Sequence, residues 1–343
     1  MDRELKELRQ IPLFVDLDDD YLEGASLLWE VRKLPADEIL WLQGQPSQEL
    51  ALLCSGILEV HINETELAKI SMGEMIGELA TFTNDSRSAS VSAAEDSILL
   101  ILSIESLHTM RESHPVMYDL LLSAALQKMA RRIHEMDREI ARIALGETAA
   151  PERKEDGVLL QFFKRLSGTG NRRPPLATSV LRKLPRLKEA PTAELELILG
   201  AMRPHFVEKG KPLFLEGERG ESVFLLVDGC MDVMRNVKRG MAERLATLYP
   251  GALLGTGALL LKERRNAGCI ASQNTDVWVY ELDRAQHDGL SGQAGRIWRE
   301  SLLMALAFQL RNADDRWILL KQGVRPKMTD YDKVRSSLLG YQG

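Results

Sequence analysis

Nine residues of this chain occur twice at a near-constant interval. Leu8, Pro12, Gly44 and Gly56 recur as Leu181, Pro185, Gly217 and Gly229, each 173 residues on. Gly73, Gly77, Ala80, Arg87 and Ala89 recur as Gly251, Gly255, Ala258, Arg265 and Ala267, each 178 residues on. Such a displacement is the mark of a duplicated module. The five residues gained fall between HINETELAK and MRNVKRGMAERLAT, where polar residues interrupt two strand-like runs, so the second copy carries a longer hairpin loop. Two modules in 343 residues also suit the ~100–200 residues of an ordinary domain.

Within each copy, short apolar or alternating runs are bounded by turn residues. They are EILWLQG, LALLCSG, ILEVHI, SVSA and SILLILSI in the first copy, and PLFLEG, VFLLVDG, CMDVM and VWVYEL in the second. Runs at this spacing predict the strands of a small barrel or jelly roll. Helical stretches flank each set, so the expected class is α+β, mainly β: two jelly-roll barrels with flanking helices. Copy one ends in a predicted helix from about Val116 to Leu145, in which Leu122, Leu126, Met129, Ile133, Met136, Ile140 and Ile143 alternate spacings of four and three. That heptad seam asks for a partner helix, and a homodimer through residues 116–145 is expected, the alternative being that the seam packs on its own barrel or on the second copy. Copy two ends in a predicted helix from about Ala294 to Gln322, apolar on more than one face between Leu302 and Leu310, and therefore buried or paired. The segments AAPERKEDG and SGTGNRRPPLAT have linker composition. The expected organisation is a first domain at 1–147, a linker at 148–178, a second domain at 179–322 and a tail at 323–343.

Several function classes drop out. With 45% hydrophobic and 27% charged residues the chain is of ordinary globular composition. Its apolar stretches, such as Ile98 to Ser103 and Leu302 to Leu306, fall far short of the ~18 residues that span a bilayer, so no membrane role is expected. The opening MDRELKELRQ has neither an apolar signal core nor an arginine-rich transit pattern, and the cytoplasm is expected. Cys54, Cys230 and Cys269 lack CxxC spacing and the six histidines make no HxxxH or HExxH pair, so neither a disulfide framework nor a metal site is expected. No Walker loop, nucleophile elbow, kinase signature or paired catalytic carboxylates appear, and no catalytic residue is expected. The net charge of -6 divides into -14 over residues 1–147 and +8 over 148–343. In the basic half, charges of both signs are interleaved, as in KERRNA and RNADDRW, which marks a solvated face rather than a nucleic-acid surface.

The chemistry concentrates in GELATFTNDSRSA, residues 77–89. Gly77-Glu78-Leu79-Ala80, six residues, then Arg87-Ser88-Ala89 set a carboxylate and a guanidinium around a short helical turn that begins beside a glycine. Amides at a helix start and an arginine fork can hold an anionic phosphodiester, and Glu78 can accept from a ribose hydroxyl. Gly77 lets the backbone approach a ligand closely, while Ser88 adds a hydroxyl donor.

This segment resembles the phosphate-binding cassette of the cyclic nucleotide-binding domain family, whose pattern is G-E-x-A, a spacer, then R-[ST]-A. Gly44 and Gly56 match the family's barrel glycines, and the resemblance covers about residues 8–145 and 181–320. It implies that Glu78 binds the ribose hydroxyl, that Arg87 binds the cyclic phosphate, and that Ser88 with the amides near Leu79 and Ala80 completes the cradle. The implied ligand is cAMP, with cGMP second, and no further cofactor. Copy two departs from the pattern. It reads Gly255-Thr256-Gly257-Ala258 and Arg264-Arg265-Asn266-Ala267, so Thr256 stands in place of the carboxylate and Asn266 in place of the hydroxyl. Arg265 alone survives, and weak binding or none is expected there.

The stretch QKMARRIHEMDREI also resembles the dimer helix of the catabolite activator family, with Met136 and Asp137 where that family contacts the base. That family continues into a DNA-reading helix-turn-helix, whereas here a second barrel follows. The tail VRPKMTDYDKVRSSLLGYQG is too short for such a domain, so sequence-specific DNA binding is not expected. The tandem arrangement is similar to that of kinase regulatory subunits, whose inhibitor segment precedes the first domain, where this chain has only a few residues. The resemblance thus implies a non-enzymatic sensor or adaptor that passes a conformational change to an unidentified protein effector. Its rivals are a ligand-free scaffold of two structural barrels and a cyclic-dinucleotide sensor using Arg264 and Arg265.

Overall fold

The structure is a computed structural model. It describes residues 2–46, 48–62, 65–144, 173–237 and 241–321. Residues 148–172 of the expected linker and the whole of the tail 323–343 lie outside the described residues. The chain divides into two units, Met1–Lys128 and Met129–Gly343. The division falls inside the long helix, residues 129–144 of which group with the second unit.

The first unit opens with α1 (Asp2–Leu8), a 3-10 turn at Pro12–Phe14 and α2 (Asp19–Ser26). The Asp18 carboxylate caps α2 by accepting from the Tyr21 amide at 2.8 Å. Then follow β1 (Glu30–Leu34), β2 (Ile39–Trp41), β3 (Glu49–Ser55), β4 (Leu58–Ile62), β5 (Thr65–Ile70), β6 (Met75–Ile76), α3 (Glu78–Thr83), β7 (Ser90–Ala93), β8 (Ser97–Ser103), α4 (Ile104–Ser113) and the start of α5 (Pro115–Ala144). The strands pair antiparallel in two sheets, ordered β1-β8-β3-β6 and β2-β7-β4-β5, which is the order of a jelly roll. Register aligns the apolar residues. Leu53 lies opposite Leu99 across β3 and β8, and Val60 lies opposite Val91 across β4 and β7. Leu53, Leu58, Leu99 and Val91 meet in one core, each worth about 1.5–3 kcal/mol when fully buried. At the β3–β4 turn Gly56 has a φ of 96°, and a Cβ there would stand 2.2 Å from Ser97 Oγ, so no other residue fits.

The second unit repeats the plan. After α6 (Thr178–Leu181) and α7 (Thr192–Gly200) come β9 (Arg203–Val207), β10 (Pro212–Phe214), β11 (Ser222–Asp228), β12 (Met231–Val237), β13 (Met241–Leu248), β14 (Leu253–Leu254), α8 (Thr256–Leu261), β15 (Gly268–Ala271), β16 (Val277–Asp283), α9 (Arg284–Gly289) and α10 (Gly292–Lys321). Its sheets run β14-β11-β16-β9 and β10-β15-β12-β13, the same order as in the first unit. The core gathers Phe214, Phe224, Leu226, Met231 and Val279.

Both long helices have 30 residues. Along α10, Trp298, Leu302, Leu303, Leu306 and Leu310 are buried, as an all-round apolar run requires. In the α5 seam, Leu122, Leu126, Met129 and Ile140 are at most 3% exposed within the single chain. Their burial is thus met without a second copy. No helix among the described residues is long and apolar enough to cross a membrane.

Candidate functional site

Gly77 joins β6 to α3 with a φ of 78°, and a Cβ there would stand 2.3 Å from Arg87 Nη1 and 2.9 Å from the Trp41 ring. The glycine therefore serves both the left-handed backbone and the guanidinium that lies against it. Arg87 is 4% exposed. Its Nη2 donates to the Glu49 carbonyl at 2.6 Å, and its Nη1 to the Gly77 carbonyl at 3.4 Å. Its Cζ lies 3.5 Å from the centroid of Trp41, a stacked cation–π contact. Burial pushes the Arg87 pKa down to about 10, against the opposing charges of Glu49 and Glu78, so the group is still cationic at neutral pH. Arg87 Nε is buried and has no hydrogen-bond partner among the described residues.

Trp41 is held by a network that sequence reasoning missed. Its Nε1 donates to Glu49 Oε1 at 3.0 Å, and Arg32 donates to both oxygens of the same carboxylate, at 2.7 and 3.1 Å. Burial opposes ionisation of Glu49, but the hydrogen bonds from Arg32 and Trp41 and the charges of Arg32 and Arg87 outweigh it and hold the pKa below the ordinary value. One signal was available: the aromatic Trp41 recurs as Phe214 at the repeat interval of 173.

Glu78, the first residue of α3, is 8% exposed. Its charge partner is Lys128 of α5, with Nζ 3.4 Å from Oε1, and the same ammonium donates to the Met75 carbonyl. Leu79, Ala80 and Ala89 are buried beside it and Ser88 is half-buried. Of the predicted site residues the structure brings Gly77, Glu78 and Arg87 together: Arg87 donates to the Gly77 carbonyl and feels the charge of Glu78.

Copy two reproduces the arginine half of this arrangement. Gly255 has a φ of 78°, and Arg265 donates to the Gly255 and Ser222 carbonyls, both at 2.8 Å. The Arg265 Cζ lies 4.3 Å from the Phe214 centroid, and burial pushes its pKa down to about 10. Its Nε and the Thr256 Oγ1 are both buried without partners among the described residues. No carboxylate follows Gly255. Ser222 and His205 stand where Glu49 and Arg32 stand in copy one, and a carboxylate returns on β16. There Glu281 lies 2.7 Å from His205 and accepts from the Ser222 hydroxyl. Those hydrogen bonds, the one from His205 first, hold the Glu281 pKa below its ordinary value despite burial. Arg264 is engaged separately, donating to the Gly217 carbonyl at 2.8 Å.

The remaining predicted site residues, Met136 and Asp137, belong to the second unit. Asp137 accepts from Asn266 Nδ2 at 3.0 Å. Neighbouring residues of α5 make two further contacts within that unit, His134 to Glu263 at 3.5 Å and Arg132 to Asp314 at 3.1 Å. Asn266, read from sequence as standing in place of the hydroxyl, here donates to a residue of α5.

A family model described as "Cyclic nucleotide-binding domain" matches residues 31–114 and 204–291. Among similar curated proteins, an uncharacterized NTE family protein of Mycobacterium tuberculosis is 31% identical over 152 residues, which is 42% of this chain and 25% of that protein. The cGMP-dependent protein kinase 2 of Mus musculus is 25% identical over 253 residues, which is 74% of this chain and 26% of that protein. The matched region therefore spans about a quarter of the length of these relatives. Among solved structures, the regulatory domain of Toxoplasma gondii PKA with cAMP aligns at 18% identity and a TM-score of 0.31, covering 87% of this chain and 94% of that one.

Proposed function

The chain belongs to the cyclic nucleotide-binding domain family, and from that premise we propose that copy one is a cyclic nucleotide sensor and copy two a degenerate companion. The observation that carries this reading is the buried Arg87 Nε, which has no partner among the described residues and lies near the charge of Glu78. A buried donor left unsatisfied costs about 1–3 kcal/mol, and a phosphodiester oxygen supplies the acceptor it lacks, in a charge-assisted bond. Glu78 accepts from the ribose hydroxyl, and Ser88 with the first-turn amides of Leu79 and Ala80 completes the cradle. Copy two keeps the guanidinium but offers Thr256 in place of the carboxylate, and binds weakly or not at all. The ligand is cAMP, with cGMP second. The protein acts without catalysis in the cytoplasm and signals to a protein effector.

A second reading, the ligand-free scaffold, is favoured by one observation. Both Nη groups of Arg87 and of Arg265 already bond main-chain carbonyls, so each cassette is held without a ligand. Isothermal titration with cAMP and cGMP separates the two readings. The sensor reading expects one site per chain, lost in Glu78→Ala and Arg87→Ala and kept in Arg265→Ala. No heat with either nucleotide, together with an unchanged melting temperature, leaves the scaffold.

A further inference from the structure

The carboxylate assigned above to the ribose is already engaged. Lys128 Nζ lies 3.4 Å from Glu78 Oε1 and donates to the carbonyl of Met75, at the strand that leads into the cassette. Lys128 belongs to α5, so a residue of the long helix clips that helix to the entrance of the cassette. The Glu78 side chain is 11% exposed and that of Lys128 32%. A second donor reaching Oε1 of this enclosed carboxylate must share it with the ammonium. A ribose hydroxyl is a neutral donor, and next to a carboxylate in a partly desolvated site it competes with a full charge.

We propose that Lys128 is the nucleotide's competitor for Glu78. The ribose hydroxyl engages the carboxylate only as the ammonium withdraws, so ligand occupancy works against the seating of α5 at this point. The inference rests on the cyclic nucleotide reading of copy one and adds a residue that sets its affinity and its dependence on the ribose. A ligand shifts an equilibrium only by its differential affinity for the two arrangements. Here the differential contact is one atom pair, Glu78 with hydroxyl against Glu78 with ammonium.

The test is titration of the full chain and of Lys128→Gln, Lys128→Met and Lys128→Arg with cAMP and with 2′-deoxy-cAMP, using cGMP and its 2′-deoxy form if cAMP does not bind. Lys128→Gln and Lys128→Met are expected to bind the ribonucleotide roughly twofold to tenfold more tightly, the range a partly exposed ion pair commands. Lys128→Arg is expected to stay near wild type. The 2′-deoxy nucleotide, which makes no demand on Glu78, is expected to bind all forms alike, a pattern that a merely structural role for Lys128 does not produce. Ligand-free melting curves show whether each variant is folded, and Lys128→Met keeps the aliphatic stem should Lys128→Gln fail. Wild-type binding with equal or weaker affinity in the Gln and Met variants, or an equal gain for both nucleotides, overturns the competition and leaves the sensor reading standing. Absence of binding by wild type and variants alike overturns both.

Discussion

The guanidinium of Arg87 lies between an indole and a glycine, and its neighbours have little freedom. Gly77→Ala places a Cβ 2.3 Å from Arg87 Nη1 on a backbone with φ 78°. It is expected to cost about 1–3 kcal/mol, read as a lower urea midpoint. A second residue-scale test concerns His287, whose Nδ1 accepts from Trp298 Nε1 at 3.2 Å. Burial pushes the His287 pKa from 6.5 down to about 4, against the charge of Asp288 and with those of Arg299 and Arg284, so the ring is neutral at pH 7. The unfolded chain binds a proton at His287 near pH 6.5 and the folded chain only near pH 4. Stability from this group is therefore complete above pH 6.5 and declines by ~3 kcal/mol as pH falls to 4. His287→Gln keeps an acceptor for Trp298, and urea midpoints for this variant are expected to vary less between pH 7 and pH 5 than those of wild type. At this scale Gly77 and Arg87 were legible because they recur as Gly255 and Arg265 at one interval. Trp41, Glu49 and Lys128 were not, because an indole platform, its carboxylate and a helix lysine are ordinary residues until packing brings them together.

α5 carries two kinds of residue. Its apolar seam alternates in heptads, and the structure buries Leu122, Leu126, Met129 and Ile140 within the single chain. Leu126→Ala is expected to cost about 2–5 kcal/mol, with an unfolding midpoint independent of protein concentration; a midpoint that rises with concentration assigns the seam to a second chain instead. Its polar residues Arg132, His134 and Asp137 meet Asp314, Glu263 and Asn266 within the second unit. A double-mutant cycle on Arg132 and Asp314, whose side chains are 32% and 14% exposed, is expected to give a coupling of ~0.5–1.5 kcal/mol. Strand elements were legible in proportion to their burial. β3 and β8, nearly all buried, appear in the sequence as apolar runs. β1 buries only Leu34 and shows no such run, yet it pairs with β8 from Glu30 to Leu34. Backbone hydrogen bonding makes it a strand, and that pairing leaves little trace in side-chain polarity.

Two jelly rolls, each with its own apolar core, are expected to unfold as two calorimetric transitions. Saturating nucleotide should then raise one of them, by about 2.7 kcal/mol at a hundred times Kd. A rise in both transitions, or in the one lost on destabilising copy two by Phe224→Ala, assigns binding to the second cassette. At the scale of the molecule, the sequence alone determined the duplication, the jelly-roll class and the family. Glycines at left-handed turns tolerate few substitutes, and a duplicated module repeats them at a near-constant interval, so they can be read without coordinates. The tertiary structure alone decided where the polar groups spend their bonds: Arg87 on main-chain carbonyls beneath Trp41, Glu78 with Lys128, Asp137 with Asn266. The physical reason is that a charge has no preferred partner encoded in its own residue type. Which opposite charge lies within reach is set by the packing of elements far apart in the chain, and the periodicity of neither element records it.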